Sequence, residues 1–119
     1  MTDTNCLFCN VPEEEKLWVS TLWFARLDKF PVTEGHTLLI PNRHVANVDD
    51  LTPKEWSALR EHIRQTVKGD FNIGINRGSL AGQTVFHVHV HLFPRTEGDV
   101  EGSPRGGIRN FKKPLVPYY

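Results

Sequence analysis

The chain has 119 residues, a length typical of a single domain with one hydrophobic core. Its 14 basic and 14 acidic residues give a formal net charge of zero, so no overall field would draw it to nucleic acid or to an anionic membrane. No apolar run is long enough for a transmembrane helix, and the first residues lack the basic and apolar regions of a signal peptide. We therefore expect a cytoplasmic protein whose partners are neither nucleic acids nor membranes.

Two strand-rich segments precede the one predicted helix. Residues 17–27 and residues 36–40 are rich in aromatic and branched apolar side chains, which favours strands. The helix begins with a capping-box pattern, in which Thr52 is followed three residues later by Glu55. Apolar residues then recur at helical spacing until Gly69, which predicts an amphipathic helix.

Two further strands are predicted after this helix. Residues 71–76 form the first, and residues 84–93 form the second, in which branched and aromatic side chains alternate with histidines. This order of elements favours an α+β domain with an antiparallel sheet. Residues 96–119 are rich in glycine, proline and charge and lack periodicity, so we expect residues 1–95 to form the domain and the remainder an extended tail.

Three histidines occupy alternate positions in the last predicted strand. Alternate residues of a strand share one face, so His87, His89 and His91 would lie in a row. Buried imidazoles need partners, because burial disfavours their charged form. The pattern alone leaves three alternatives open, namely a solvent-facing strand without chemistry, a zinc site and phosphate chemistry.

The loop before the histidines favours phosphate chemistry. Gly82, Gln83 and Thr84 offer free backbone amides, a side-chain amide and a hydroxyl, which suit the oxygens of a phosphate group. A metal-dependent hydrolase has no need of such a loop. A neutral histidine held in one tautomer could attack the phosphorus, while its neighbours offset the charge that builds on the phosphate oxygens.

Three segments in register resemble the histidine-triad (HIT) superfamily. Residues 76–95 carry its asparagine, Gly-Gln-Thr and His-x-His-x-His pattern, residues 28–44 resemble its first half, and Cys6-x-x-Cys9 precedes them. The resemblance covers residues 6–95. It implies a HIT-like fold of the α+β class, with an antiparallel five-stranded sheet, one main helix and an extended C-terminal tail packed on or near the active site.

The resemblance also implies roles for individual residues. His89 would attack the α-phosphorus and become nucleotidylated, with His87 and His91 as the other catalytic histidines. The implied phosphate-binding residues are Asn76, Gly82, Gln83 and Thr84. The implied ribose- and base-binding residues are Asp28 for the ribose hydroxyls and Leu7, Phe8 and Leu27 for the base. His36, beside a turn, we interpret as structural.

The two cysteines have the spacing of metal ligands, but two thiolates do not complete a tetrahedral site. In zinc-containing relatives the other ligands are the histidine after the Ile-Pro segment and the first triad histidine. Carried over, the structural zinc ligands would be Cys6, Cys9, His44 and His87. The alternatives are that the cysteines are merely small buried residues, or that they bind metal adventitiously.

The third triad position carries histidine, where transferase branches of the superfamily have glutamine. The resemblance therefore implies a hydrolase that cleaves the α-phosphate bond of adenosine or other purine nucleotide conjugates through a covalent nucleotidyl-histidine, releasing a nucleoside monophosphate. Candidate substrates are dinucleoside polyphosphates and nucleoside phosphoramidates, and the basic tail residues would suit the former. A nucleotidyl transferase and a nucleotide-binding regulatory module with weak turnover remain alternatives. Many relatives dimerise, so we expect a homodimer.

Overall fold

A five-stranded antiparallel sheet forms the centre of the protein. A computed structural model describes residues 3–100 and 106–111. The strands are β1 (Trp18–Val19), β2 (Trp23–Leu27), β3 (Thr37–Pro41), β4 (Phe71–Ile75) and β5 (Val90–Pro94), and their order across the sheet is β1-β2-β3-β5-β4. One helix, α1 (Pro53–Thr66), connects β3 to β4, which confirms the predicted fold class. Single turns of 3-10 helix lie at Glu13–Glu15, Val48–Asp50, Ser79–Ala81 and Gly107–Arg109.

The helix α1 begins at the capping box that the sequence predicts. The Thr52 hydroxyl accepts from the Glu55 N–H at 3.1 Å, and a Glu55 carboxylate oxygen accepts from the Thr52 N–H at 2.8 Å. The Trp23 indole N–H donates to the Glu55 carbonyl at 2.9 Å, which ties the start of the helix to β2. Across residues 3–100 and 106–111, every helix is too short or too polar to cross a bilayer.

The two faces of the sheet are covered by different parts of the chain. On one face α1 packs over the main core, whose fully buried members are Trp23, Ala25, Leu39, Val90 and Leu92. On the other face lies a smaller apolar cluster that includes the N-terminal segment, with Phe8, Val11, Phe24, Leu38 and Ile40. This second face carries the candidate site.

The strand that follows the first two triad histidines begins later than predicted. We predicted a strand over residues 84–93, but β5 starts at Val90, so His89 lies just before it. In the register of β3 and β5, the position opposite Val88 would be Pro41, which has no N–H to donate. The Val88 N–H instead donates to the carbonyl of Val45 at 2.8 Å, which draws this segment out of the sheet.

Part of the predicted tail lies against the body of the protein. The Arg95 guanidinium donates to the carbonyls of Gly107 and Asn110, each at 3.3 Å, and lies 4.8 Å from the centre of the Phe111 ring. These contacts hold residues 106–111 beside the end of β5. Of the basic tail residues, Arg109 is described and exposed, whereas Arg105, Lys112 and Lys113 lie outside the described residues.

Candidate active site

A cleft of about 420 Å³ opens on the face of the sheet that α1 does not cover. The cleft brings together most of the predicted site residues, namely Leu7, Phe8, Asp28, Asn76, Gly82, Thr84, His89 and His91. Three predicted residues do not line it: Leu27, Gln83 and His87. One end of the cleft is therefore formed by imidazoles and a glycine-containing loop, and the other by apolar side chains.

The imidazole of His89 has one ring nitrogen committed to the backbone. Its Nδ1 lies 2.9 Å from the carbonyl of His87, and because a carbonyl oxygen only accepts, Nδ1 carries the proton. Burial lowers the pKa of His89, which keeps the ring neutral near pH 7. The lone pair of Nε2 is therefore available, as a histidine nucleophile requires. The Phe8 ring packs against this imidazole with centroids 4.8 Å apart.

A chain of hydrogen bonds assigns the tautomer of His91. The Val32 N–H donates to Nδ1 of His36 at 3.1 Å, so Nε2 of His36 carries the proton. This Nε2 lies 2.9 Å from Nδ1 of His91, which must accept. Burial, and then the nearby imidazoles of His89 and His36, lower the pKa of His91 to about 3. His91 is therefore neutral, and its Nε2 offers an N–H donor to a ligand in the cleft.

The carboxylate of Asp28 lies between this histidine pair and the cleft. Its Oδ1 accepts from the Phe30 N–H at 2.8 Å, and its Oδ2 lies 3.4 Å from Nε2 of His36. A carboxylate that remains accessible from the cleft can accept hydrogen bonds from sugar hydroxyls. The position thus suits the ribose contact that the sequence implied.

Asp28, His36 and His91 also form a compact cluster of possible metal ligands, with one donor atom of each within 4.8 Å of the others. The hydrogen bonds argue against that use. Nε2 of His36 carries a proton, and Nδ1 of His91 accepts it, so neither atom has a lone pair free for a metal. We interpret the cluster as a hydrogen-bond network.

The loop between β4 and the histidines borders the cleft beside His89. Gly82 has φ +94°, a backbone conformation that favours glycine, and a Cβ there would lie 3.5 Å from the Asn76 amide nitrogen. Thr84 is exposed, and in the part of the chain that the structure describes its side chain has no hydrogen-bond partner. The Gly82 N–H donates to the Ser79 carbonyl at 3.0 Å, so the free backbone amide predicted there is occupied. Asn76 and Thr84 leave side-chain polar groups available to a phosphate.

Gln83 has a different place from the one predicted. Its side chain is buried, donates to the carbonyls of Ala46 at 2.9 Å and Val85 at 3.2 Å, and accepts from the Gly78 N–H at 2.8 Å. Both polar atoms of the Gln83 side chain are thus used to shape the loop that precedes the histidines. Gln83 holds the loop and does not itself face the cleft.

Leu27 also lies away from the cleft. It is 52% exposed at the end of β2, and because successive strand residues point to opposite faces, the cleft position belongs to its neighbour Arg26. On this strand the structure therefore places Arg26 in the cleft, and not Leu27 as predicted.

The four predicted metal ligands come together behind the cleft. One donor atom from each of Cys6, Cys9, His44 and His87 lies within 4.8 Å of the other three. Sγ of Cys6 is 3.3 Å from Nδ1 of His87, and Sγ of Cys9 is 3.3 Å from Nδ1 of His44. Nε2 of His87 donates to the Pro41 carbonyl at 2.8 Å, so its Nδ1 directs a lone pair toward the sulfurs.

This donor set fits a tetrahedral metal ion that prefers nitrogen and sulfur ligands. Burial raises the pKa of the Cys6 thiol, and a bound cation would offset that effect by stabilising the thiolate. His87 is fully buried, and its link to the cleft is its carbonyl, which accepts from Nδ1 of His89. The cluster is therefore linked to the His89 imidazole through the backbone of His87.

Sequence reasoning missed two residues of the site. His36 was interpreted as structural, and its contact with His91 depends on the register between β3 and β5, which no local pattern reveals. Arg26 could have been found, because it lies two residues after Phe24 in an apolar strand and so shares its face.

A sequence model of the HIT domain matches residues 11–98, most of the chain. The chain belongs to the HIT family. The matched range includes the cleft residues from Arg26 to His91, and it begins after Cys6 and Cys9. HIT proteins as a family bind nucleotides, and the cleft of this chain has the polar and apolar ends that such ligands need.

Individual relatives agree with this assignment. The chain is 37% identical over 109 residues to an uncharacterized 16.1 kDa HIT-like protein of Mycoplasma pneumoniae, with 82% of this chain and 76% of the relative covered. It is 31% identical over 107 residues to adenylylsulfatase HINT3 of Arabidopsis thaliana, with 80% and 54% covered. A solved zinc-bound histidine triad family protein from Mycobacterium smegmatis superimposes with a TM-score of 0.69 at 31% identity, covering 80% of this chain and 78% of that protein.

Proposed function

We propose that this HIT protein is a nucleotidyl hydrolase that cleaves the α-phosphate bond of purine nucleotide conjugates and releases a nucleoside monophosphate. The observation that carries the proposal is the state of His89. Its ring is neutral, its Nδ1–H is bonded to the His87 carbonyl, and its Nε2 lone pair is available beside the N–H donor of His91. Asn76, Gly82 and Thr84, three of the four residues predicted to bind phosphate, line the same cleft.

In the first step, Nε2 of His89 attacks the α-phosphorus, and the bond to the leaving group breaks with its electron pair. The new P–N bond leaves a positive charge on the imidazole, which the His87 carbonyl stabilises through the Nδ1–H. His91, Asn76 and Thr84 supply hydrogen-bond donors for the non-bridging oxygens as their charge increases.

In the second step, water attacks the same phosphorus and the P–N bond breaks. The electron pair returns to Nε2 of His89, the water oxygen leaves in the nucleoside monophosphate, and the water proton passes to solvent. Transferase branches of the superfamily have glutamine at the third triad position, whereas this chain has His91. This difference supports water as the group that accepts the nucleotidyl moiety.

The state of His91 bears on the leaving group. With a pKa of about 3, His91 donates a hydrogen bond but does not supply a proton near pH 7. A phosphate or polyphosphate leaves as a stable anion, whereas the amine of a phosphoramidate must gain a proton. We therefore favour anhydride substrates such as dinucleoside polyphosphates, and the relative named adenylylsulfatase supports such chemistry.

A turnover assay tests this function. Wild-type protein should release adenosine monophosphate from diadenosine tetraphosphate, and His89→Ala should lower kcat by about a thousandfold or more. His62→Ala is the matched control, because His62 lies outside the cleft, and it should leave turnover unchanged. If wild type and His89→Ala hydrolyse the substrate equally slowly, the protein is a nucleotide-binding module and the proposal fails.

We also propose that the chain forms a homodimer. β4 is an edge strand of the sheet, and its Ile73 and Phe71 side chains remain 41% and 36% exposed. A second copy that covers this edge would bury both side chains. Light scattering should give twice the chain mass, Ile73→Lys should halve it, and a monomeric wild type would contradict the proposal.

Residues 1–95 we propose as the catalytic domain and residues 96–119 as a tail packed near the site. Phe111 supports this arrangement, because its ring lies 5.1 Å from that of Phe93, which stacks parallel to His91 at 5.5 Å. Truncation after Gly102 should raise KM for a dinucleoside polyphosphate, and an unchanged KM would contradict a role of the tail in substrate binding.

A further inference from the structure

We propose that Arg26 selects the base, and that the cleft takes nucleotides of 6-oxopurines, guanine and hypoxanthine, in preference to adenine nucleotides. The inference rests on the proposed function, because the phosphate end at His89 and His91 sets the direction of the nucleotide. It adds a base specificity that the family relationship does not give.

The register of the sheet places Arg26 at the base end of the cleft. Arg26 lies directly opposite Leu38 of β3, and Leu38 lies directly opposite His91 of β5. Residues paired in this way share one face, and two strand spacings put the Arg26 backbone about 10 Å from that of His91. Apolar Phe8 and Leu7 form the wall beside Arg26, as a flat base requires.

The side chain of Arg26 is buried, but its guanidinium is only weakly paired. Its Nε donates to the Leu27 carbonyl at 3.3 Å, and its nearest carboxylate oxygen, from Glu15, is 3.9 Å from Nη2, beyond hydrogen-bond distance. The same Glu15 oxygen is closer to Lys29, at 3.4 Å. Within the described ranges, therefore, neither terminal nitrogen of Arg26 has a hydrogen-bond acceptor.

The two terminal nitrogens of the Arg26 guanidinium can select between bases by the acceptors that each base presents. The Arg26 side chain is only 6% exposed and lines the cleft. Among the described residues only Thr33 and Thr66 have a fully buried side-chain polar atom without a partner, so the terminal nitrogens of Arg26 can be reached from the cleft. A ligand that presents two adjacent acceptors would form hydrogen bonds with both Nη1 and Nη2, which no protein acceptor within the described ranges occupies. The Arg26 guanidinium also lies over the Phe8 ring, with Cζ 5.9 Å from the ring centre. This cation–π contact holds the guanidinium beside the apolar side of the cleft.

The chemistry of the purine edge decides which base fits. A guanidinium only donates, and guanine and hypoxanthine present two adjacent acceptors, O6 and N7. Adenine presents N7 beside the N6 amino group, so one terminal nitrogen of the guanidinium would face another donor. The Arg26 guanidinium can therefore donate two hydrogen bonds to the O6 and N7 edge of a 6-oxopurine, but not to the same edge of adenine.

A series of monophosphates tests this in the wild-type protein. Calorimetry should show guanosine and inosine monophosphates binding at least about tenfold more tightly than adenosine monophosphate, with 7-deazaguanosine monophosphate in between. Equal affinities would overturn the inference while leaving the proposed function intact. Tight guanosine but weak inosine monophosphate would also overturn it, because the 2-amino group would then select. If no monophosphate binds, the proposed function fails as well.

Two substitutions test the residue itself. Arg26→Met keeps a long unbranched side chain beside Phe8 and should bring the guanosine-to-adenosine affinity ratio close to one. Arg26→Lys keeps the charge but lacks the two adjacent donors of a guanidinium, and it should lower the ratio by weakening guanosine monophosphate binding more than adenosine monophosphate binding. Arg64→Met, at an exposed arginine of α1, is the charge-matched control and should keep the wild-type ratio. A wild-type ratio in Arg26→Lys would overturn the inference even if Arg26→Met does not fold.

Discussion

Nε2 of His36 lies 2.9 Å from Nδ1 of His91. The Val32 N–H occupies the other nitrogen of His36, so the bond between the two rings has one direction, from His36 to His91. His36 is 2% exposed and does not line the cleft. It therefore acts through His91, whose donor it keeps on the side of the ring that a ligand can reach.

Substitution of His36 should lower kcat more than it changes KM. His36→Leu removes the donor, so His91 can place its proton on either nitrogen, and kcat should fall about ten- to hundredfold. His36→Gln can donate again through its amide and should restore part of the loss. Nitrogen NMR shifts of His91 should show mixed tautomers in His36→Leu, and a single tautomer with full kcat in that variant would contradict this role.

Activity should persist below the pH at which an ordinary histidine titrates. Burial lowers the pKa values of His36, His89 and His91 from 6.5, and proton binding to Nε2 of His89 would abolish attack. As pH falls, kcat/KM should therefore stay flat through 6.5 and decline only below it. The unfolded chain binds these protons first, so stability also falls below that pH. If kcat/KM instead declined with an apparent pKa of 6.5 or above, this would contradict the conclusion that the histidines are neutral because they are buried.

Substitution of Gln83 should lower the stability of the fold more than it changes the activity of the site. Gln83→Met would leave the Gly78 N–H and the Ala46 carbonyl without partners and should lower the free energy of unfolding by about 2 kcal/mol. Gln83→Glu can still accept from Gly78 and should lose less. Denaturant titration measures both values. Unchanged stability combined with weaker phosphate binding would show that the side chain contacts the ligand after all.

Removal of the cluster ligands should weaken the cleft as well as the fold. Protein purified without chelator should hold about one zinc per chain, and Cys9→Ser should lose the metal together with thermal stability. Because Phe8 lies between the two cysteines and packs on His89, metal loss should also weaken monophosphate binding. Elemental analysis, thermal unfolding and calorimetry give the three readouts. Metal-free wild-type protein would contradict the zinc prediction.

Local patterns predicted the parts of the fold that depend on near neighbours. The capping box of Thr52 and Glu55 joins residues three apart, and it appears as predicted. The alternating positions of the triad histidines predicted that His89 and His91 would lie side by side, and their ring centres are 5.1 Å apart. The start of β5 at Val90 was missed, because it depends on contacts with a distant part of the chain.

Leu27 and Gln83 show that a linear pattern does not determine which side chains face the cleft. The resemblance implied Leu27 as a base-pocket residue, but the alternation of β2 places Arg26 in the cleft and Leu27 away from it. Gln83 was assigned to phosphate because of its motif, whereas its amide serves the carbonyl of Ala46, 37 residues away in the chain. Both outcomes depend on tertiary contacts that a linear pattern does not contain.

A rapid-quench experiment tests the central claim, a covalent intermediate on His89, most directly. Wild-type protein in excess is mixed with a dinucleoside tetraphosphate labelled at the α-phosphorus and quenched in base, which preserves phosphohistidine. Mass spectrometry should then find one nucleoside monophosphoryl group on the peptide that contains His89, formed and lost at rates that match single turnover. The label should be absent from His89→Asn and present in His62→Ala. Product release with no labelled protein at any time, or a label on another residue, would contradict the account.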